Sequence, residues 1–177
     1  TKPITYAKAM EKGYTANFTI MDVKTEFPGG ADNPNYNPVN YDGQFHGPTQ
    51  VRYALGNSFN ITAVKMLALV GMPDMLQIAK SLGITTFNEP NRYGLSLTLG
   101  GGDVKLIDMM TVFGTFSQSG VKHQTSGVLK IVDSKGQTLE DNEKPQGTKV
   151  LDSSVAYLIT DILAENKART PAFGNNS

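Results

Sequence analysis

The chain has 177 residues, with no cysteine and 16 Lys+Arg balanced by 16 Asp+Glu. That length fits one ordinary domain or a large part of one, the lack of Cys excludes disulfides and thiolate metal sites, and zero net charge offers no field to draw in nucleic acid or an anionic membrane. The most apolar run, residues 61–70, is broken by Lys65 and closed by Gly71, short of the ~20 residues that span a bilayer, and the first residues lack the charged, apolar, small-residue order of a signal peptide.

In chain order, residues 2–12 predict a helix with Ile4, Ala7 and Met10 on one side and Pro3 in its first turn. A helix that opens at the first residue predicts a chain cut from a longer one. Residues 18–27 read as a short strand or extended segment. Residues 28–48 hold Pro28, Gly29, Gly30, Pro34, Asn35, Asn37, Pro38, Asn40, Gly43 and Gly47, which sustain neither regular period; so long a loop carries function or borders a site.

Short helices follow. One starts at Pro48, carries Val51, Ala54 and Leu55, and stops at Gly56; the next carries Ile61, Val64, Leu67 and Ala68 up to Gly71; a third opens at Pro73 with Leu76, Ala79 and Leu82 inward and Gly83 behind. Ser58, Phe59 and Asn60 sit at the junction of the first two. Past Gly100-Gly101-Gly102, Asp103 reads as the N-cap of a core helix bearing Leu106, Ile107, Met110, Phe113 and Phe116 and ending near Gly120. Residues 128–139 read as a surface hairpin turning at Ser134-Lys135-Gly136, and residues 153–165 as a last helix with Val155, Leu158, Ile159, Ile162 and Leu163 on one stripe.

Little of this carries chemistry. The two histidines, His46 and His123, have no carboxylate or second His at ligand spacing, so surface or capping roles are expected and no metal site. The glycine triplet lacks the Lys-Ser/Thr of a phosphate loop and reads as a tight backbone passage. Met66, Met72, Met75, Met109 and Met110 read as core filling, and the acceptor patterns Asn17-Phe18-Thr19 and Asn60-Ile61-Thr62 recur by chance in chains of this size. Ser58 and Asn60 differ: a hydroxyl and a carboxamide two residues apart in a short interhelical turn can point into one cleft, although Asn60 also suits the cap of a helix starting at Ile61.

The surrounding text resembles a known family. Lys2-Pro3-Ile4-Thr5-Tyr6, then Asn40-Tyr41-Asp42-Gly43 with Phe45, Gly47 and Pro48, then Arg52, Ala54-Leu55, Asn57-Ser58-Phe59-Asn60 and Ala63-Val64 are similar to the transpeptidase domain of class A penicillin-binding proteins. Residues 94–102 and 168–174 resemble later segments of that domain, in the family's order. The resemblance implies an α+β fold, the serine penicillin-recognising fold, of which residues 1–177 form a partial domain that is mainly its helical subdomain, with little of the central antiparallel sheet.

Such enzymes gather three signatures, Ser-x-x-Lys, Ser-x-Asn and Lys-Thr/Ser-Gly, around a serine nucleophile. By resemblance Lys2 is the lysine of the first, which puts the serine two residues ahead of Thr1, and Ser58 and Asn60 are the second. No Lys-Thr-Gly or Lys-Ser-Gly occurs, the nearest text being Lys24-Thr25-Glu26. The expected catalytic residues are therefore Lys2 as base, Ser58 as proton relay, and Asn60 as the group that orients the lysine and holds a peptide amide.

The implied activity of the intact protein is D,D-transpeptidation of peptidoglycan stem peptides ending in D-Ala-D-Ala, through an acyl-serine that β-lactam antibiotics trap, with the chain alone inert. No cofactor is implied. The implied partners are stem peptides, β-lactams and the remaining segments of the same enzyme, with no nucleic acid, at the outer face of a bacterial cytoplasmic membrane and anchored by a segment outside this chain. A carboxypeptidase or β-lactamase of the same fold, or a non-catalytic domain that binds cell-wall peptides, are the alternatives. Because unfinished sheets expose edges and apolar surface, the 177 residues in isolation are expected to fold poorly or aggregate, and a sharp, reversible thermal transition at low protein concentration would contradict this.

Overall fold

The computed structural model describes residues 1–29 and 34–176. Gly30, counted among the turn-formers of the long loop, lies outside the described residues with positions 31–33, as does Ser177.

The first helix, α1 (Lys2–Glu11), has Pro3 in its opening turn, where no backbone donor is lost. It buries Ile4, Thr5, Tyr6, Ala7, Ala9 and Met10, more than one stripe, which a helix does only when neighbours surround it. The neighbours are α3 (Asn60–Val70), α4 (Met72–Leu82), α6 (Ser153–Ala164) and a short 3₁₀ turn, Leu95–Leu99. Its buried hydroxyls are placed by side-chain bonds: Thr5 Oγ1 meets Thr98 Oγ1 at 2.8 Å, and Tyr6 Oη donates to Thr62 Oγ1 at 3.4 Å. Burial also pushes the Tyr6 phenol well above its ordinary pKa. Helix α4 packs on Met75, Ile78, Ala79 and Leu82, the i, i+3, i+4, i+7 row of an amphipathic helix.

Among the described residues, strands pair only as two-stranded ribbons. β1 (Thr19–Asp22) is antiparallel to β2 (Gly47–Gln50), with Pro48 opposite Met21. The helix expected from Pro48 therefore begins three residues later, as α2 (Val51–Gly56); a ribbon edge tolerates a residue without an N–H. β3 (Val121–His123) pairs with β6 (Gly147–Lys149), and β4 (Lys130–Val132) with β5 (Thr138–Asp141). The last pair is the expected surface hairpin, closed where Asp133 Oδ1 accepts the backbone N–H groups of Lys135 and Gln137, each at 2.8 Å. No larger sheet forms among the described residues.

Helix α5 (Leu106–Ser117) departs from its expected character. Its N-cap is Lys105 rather than Asp103. Of the expected core row only Phe116 is buried, together with Val112 and Thr115, while Leu106 (78% exposed), Ile107, Met110 and Phe113 face outward. Apolar content predicted burial; the helix packs by its other edge against α6 and β3. For the same reason Met110 is not core filling, whereas Met66 and Met75 are wholly buried. The glycine triplet is a tight passage: a Cβ on Gly101 would meet Ser96 Oγ at 2.6 Å. The sequence gives no helical signal for α7 (Asn166–Phe173), which carries Pro171 inside it. Among the described residues no single helix is long and apolar enough to cross a membrane.

Gly120 locks α5 to the segment before α6. Its N–H bonds to Thr115 O at 2.8 Å, its carbonyl accepts from Val150 and Leu151, and its φ of +86° leaves an added Cβ 2.1 Å from Leu151 O. Both backbone conformation and space are refused there. Gly120→Ala is expected to destabilise the domain of the intact parent protein by about 3 kcal/mol or more, read as a lowered urea midpoint at unchanged slope.

Candidate active site

Lys2 opens α1, and Ser58 and Asn60 sit in the turn between α2 and α3. The structure brings the three together. Lys2 Nζ donates to Ser58 Oγ at 2.9 Å, to Asn60 Oδ1 at 2.7 Å and to the backbone carbonyl of Ser58. An ammonium has three donors, and all three have acceptors.

The turn itself is a helix C-cap. Ser58 N bonds to Leu55 O at 3.0 Å and Phe59 N to Ala54 O at 3.0 Å, the paired 5→2 and 6→1 bonds of a Schellman motif. The position that usually holds glycine is Ser58, at φ +57°. A left-handed serine is held against its own preference, and the neighbours do the holding. Asn57 is buried, donating to Tyr53 O at 2.9 Å and Ala168 O at 2.6 Å, while its Oδ1 accepts from Ala172 N at 2.9 Å. These bonds fasten the end of α2 to α7.

Asn60 is the first residue of α3 and not its cap; the N-cap position is Phe59. The acceptor for the Asn60 N–H is Asn40 Oδ1 at 2.8 Å, from the long loop. That frees the Asn60 carboxamide to face Lys2, with its Nδ2 donating to Val39 O at 2.7 Å. The loop thus borders the site, as its length suggested. Asn40 belongs to the segment that carried the family resemblance but was absent from the expected site residues.

His46 also corrects expectation. No carboxylate partner was expected for it, yet the fold sets its Nδ1 2.6 Å from Asp22 Oδ2 and its Nε2 3.1 Å from Oδ2 of Asp42, four residues earlier in the chain. The ring stacks on Phe59 at 4.0 Å between centroids and 14° between planes. Among the described residues no group of three His, Cys, Asp or Glu is arranged to hold a metal ion.

The cleft beside the triad, about 260 Å³, is lined by Lys2, Pro3, Ser58, Leu163, Arg169 and Phe173 among others, with Arg169 over the Phe173 ring at 5.7 Å. Burial of the Lys2 amine disfavours its charged form and lowers its pKa to about 8. At neutral pH the group is a sheltered cation; near pH 8 half of it is a neutral amine with a free lone pair.

Comparison with known proteins gives the family. The profile of the penicillin binding protein transpeptidase domain matches residues 1–175. The chain belongs to that family. It is 30% identical over 163 residues to penicillin-binding protein 2D of Bacillus subtilis, covering 92% of this chain and 23% of that protein. Two solved structures share the transpeptidase fold: penicillin-binding protein 1A of Haemophilus influenzae (TM-score 0.80, 21% identity, 94% of this chain and 29% of that one), and PonA1 of Mycobacterium tuberculosis in complex with penicillin V (TM-score 0.79, 22% identity, 91% and 44%). The chain thus spans less than a quarter of the length of this curated relative, and the α+β architecture with its helical emphasis is that of part of the transpeptidase domain.

An NMR titration of ¹³C-methylated lysines in the parent protein, with the signal assigned by loss in Lys2→Arg, should place the Lys2 midpoint near 8. Asn60→Asp should raise it, because a carboxylate at that contact favours the ammonium. A midpoint in the ordinary lysine range would show that water reaches the amine freely.

Proposed function

We propose that these residues are part of a peptidoglycan D,D-transpeptidase, and that Lys2, Ser58 and Asn60 are catalytic residues in the intact enzyme. The observation that carries the reading is the Lys2 amine, sheltered and lowered in pKa, bonded at once to the hydroxyl and carboxamide of a Ser-x-Asn turn at an open cleft. The serine of the Ser-x-x-Lys signature stands three residues before the lysine, one helical turn away on the same face, within reach of the amine.

In the proposed reaction the neutral amine takes the serine proton as the serine oxygen attacks the carbonyl carbon between the two D-alanines of a stem peptide. The C–N bond then breaks. Ser58 Oγ passes a proton from the lysine to the departing nitrogen, since a hydroxyl both accepts and donates, and D-alanine leaves. The acyl-serine ester is next attacked by an amine of a second stem, whose proton returns through the same groups. Asn60 keeps the lysine in place and adds no negative charge that would stabilise its ammonium. The chain's own groups supply this proton traffic with no cofactor; the third signature, Lys-Thr/Ser-Gly, is not among these 177 residues, so this stretch alone is expected to be inactive. The relative PonA1 holds penicillin V, and β-lactams are proposed to acylate the parent of this chain in the same way. The site would then work outside the cytoplasmic membrane, where stem peptides lie.

A fluorescent penicillin should label the full-length parent covalently, with a rate that climbs with pH through about 8 as Lys2 loses its proton. Lys2→Ala should slow labelling by a factor of ~10² to 10⁴. Ser58→Gly isolates the hydroxyl: glycine prefers the left-handed position, so stability should hold or rise by about 0.5–1 kcal/mol while labelling slows. A parent that never acquires label ends this reading.

A further inference from the structure

The polar contacts around Asn60 run well past the proposed catalytic groups into the interior. Asn40 is nearly wholly buried and uses every hydrogen-bonding site of its carboxamide. Its Oδ1 accepts from Asn60 N at 2.8 Å and, more weakly, from Ile61 N at 3.4 Å, so it caps α3 from a loop 20 residues earlier. Its Nδ2 donates to Asp22 Oδ2 at 2.7 Å and to Gln44 O at 2.9 Å. Asp22, on β1 and fully buried, has its Oδ2 further bonded by the backbone N–H of His46 at 3.0 Å and by the His46 ring at 2.6 Å. That ring lies flat on Phe59, the residue between Ser58 and Asn60.

We propose that Asp22 and Asn40 are positioning residues, a clasp from the buried strand β1 to the first turn of α3 that fixes the Asn60 carboxamide with its oxygen toward Lys2. The inference rests on the transpeptidase reading above. Two contacts decide which way the amide faces. Turned by 180°, its NH₂ would meet the lysine's N–H groups and its oxygen would meet the Val39 carbonyl, two like-polarity contacts where there are now two hydrogen bonds. Val39 can exert that choice only while its neighbour Asn40 is anchored, and the anchor is a carboxylate out of reach of water. Asp22 Oδ1 is buried without a hydrogen-bond partner among the described residues, so every bond of the carboxylate runs through Oδ2, and losing those partners would leave the whole group unpaired at high cost. The clasp touches no reacting atom; it acts through Asn60.

The test is a swap of polarity across the Asp22–Asn40 contact in the full-length protein, read as the rate constant of acylation by a fluorescent penicillin. Asn40→Asp keeps an acceptor for the Asn60 N–H but sets two carboxylates against each other, and should slow acylation by about 10- to 100-fold. Asp22→Asn alone should also slow it. The double variant Asp22→Asn/Asn40→Asp restores a donor facing an acceptor at that contact while setting an amide against the His46 N–H and a carboxylate against the Gln44 carbonyl. The recovery is therefore partial: it should react several-fold faster than the product of the two single losses implies. A rate constant reads only molecules that react, so a lowered folded fraction reduces the amplitude of labelling and leaves the rate alone. Single variants that react like wild type, or a double variant that shows the full product of losses, overturn the clasp while the transpeptidase reading stands. Wild-type protein that takes no label removes both.

Discussion

A cationic amine withdrawn from water must find an acceptor for each of its hydrogens, or its burial is not sustained. Lys2 meets that demand with three oxygens drawn from two residues of a single turn, Ser58 and Asn60. Much of the surrounding architecture holds the amine and the turn at that separation. Helix α1 is packed on several sides, so the lysine's stem has a rigid base. The turn is gripped from both flanks, by Asn57 reaching α7 and by Asn40 reaching the start of α3. Neutral acceptors matter as much as their number. Because they are a hydroxyl, a carbonyl and a carboxamide rather than carboxylates, desolvation decides the balance and the amine sits near the point where it can give up a proton.

Ser58 shows the local cost of this arrangement. A Schellman turn asks for glycine at that position, and a side chain there is strained by about 1 kcal/mol. The strain places the hydroxyl beside Lys2 with its backbone carbonyl on the same amine, which is one way a fold stores backbone energy at a site of use. The bonds of Asn57 and the stacking of His46 on Phe59 keep the turn from relaxing.

Helical periodicity found the inward side of α4 and α6, where Ala79, Leu82, Val155, Ile159 and Ile162 are buried as the spacing named. Leu76, Leu158 and Leu163 of the same rows are only half-buried, and Met75, Ile78 and Ala156 take the covered positions beside them. It misled in α5, since hydrophobic content says that a face prefers cover and not that cover is at hand. It was silent on α7, where Pro171 and few apolar residues hide a helix held mainly by its junction with α2. The turn at Ser58 was visible as punctuation between two helices, but its left-handed conformation in a non-glycine residue could not be told from composition.

The amino-acid order alone determined which groups were available: a lysine at the start of a helix, a hydroxyl and a carboxamide two residues apart, and a family likeness that named them together. Local rules reach that far because capping, spacing and turn chemistry act over a few residues. Tertiary structure decided that these groups converge, that Asn40 and not Asn60 caps α3, and that a carboxylate and an imidazole 24 residues apart share a hydrogen bond at the far end of the same network. Such contacts depend on the packing of α1 against α3 and of the β1–β2 ribbon behind them, and no short window of sequence contains both partners.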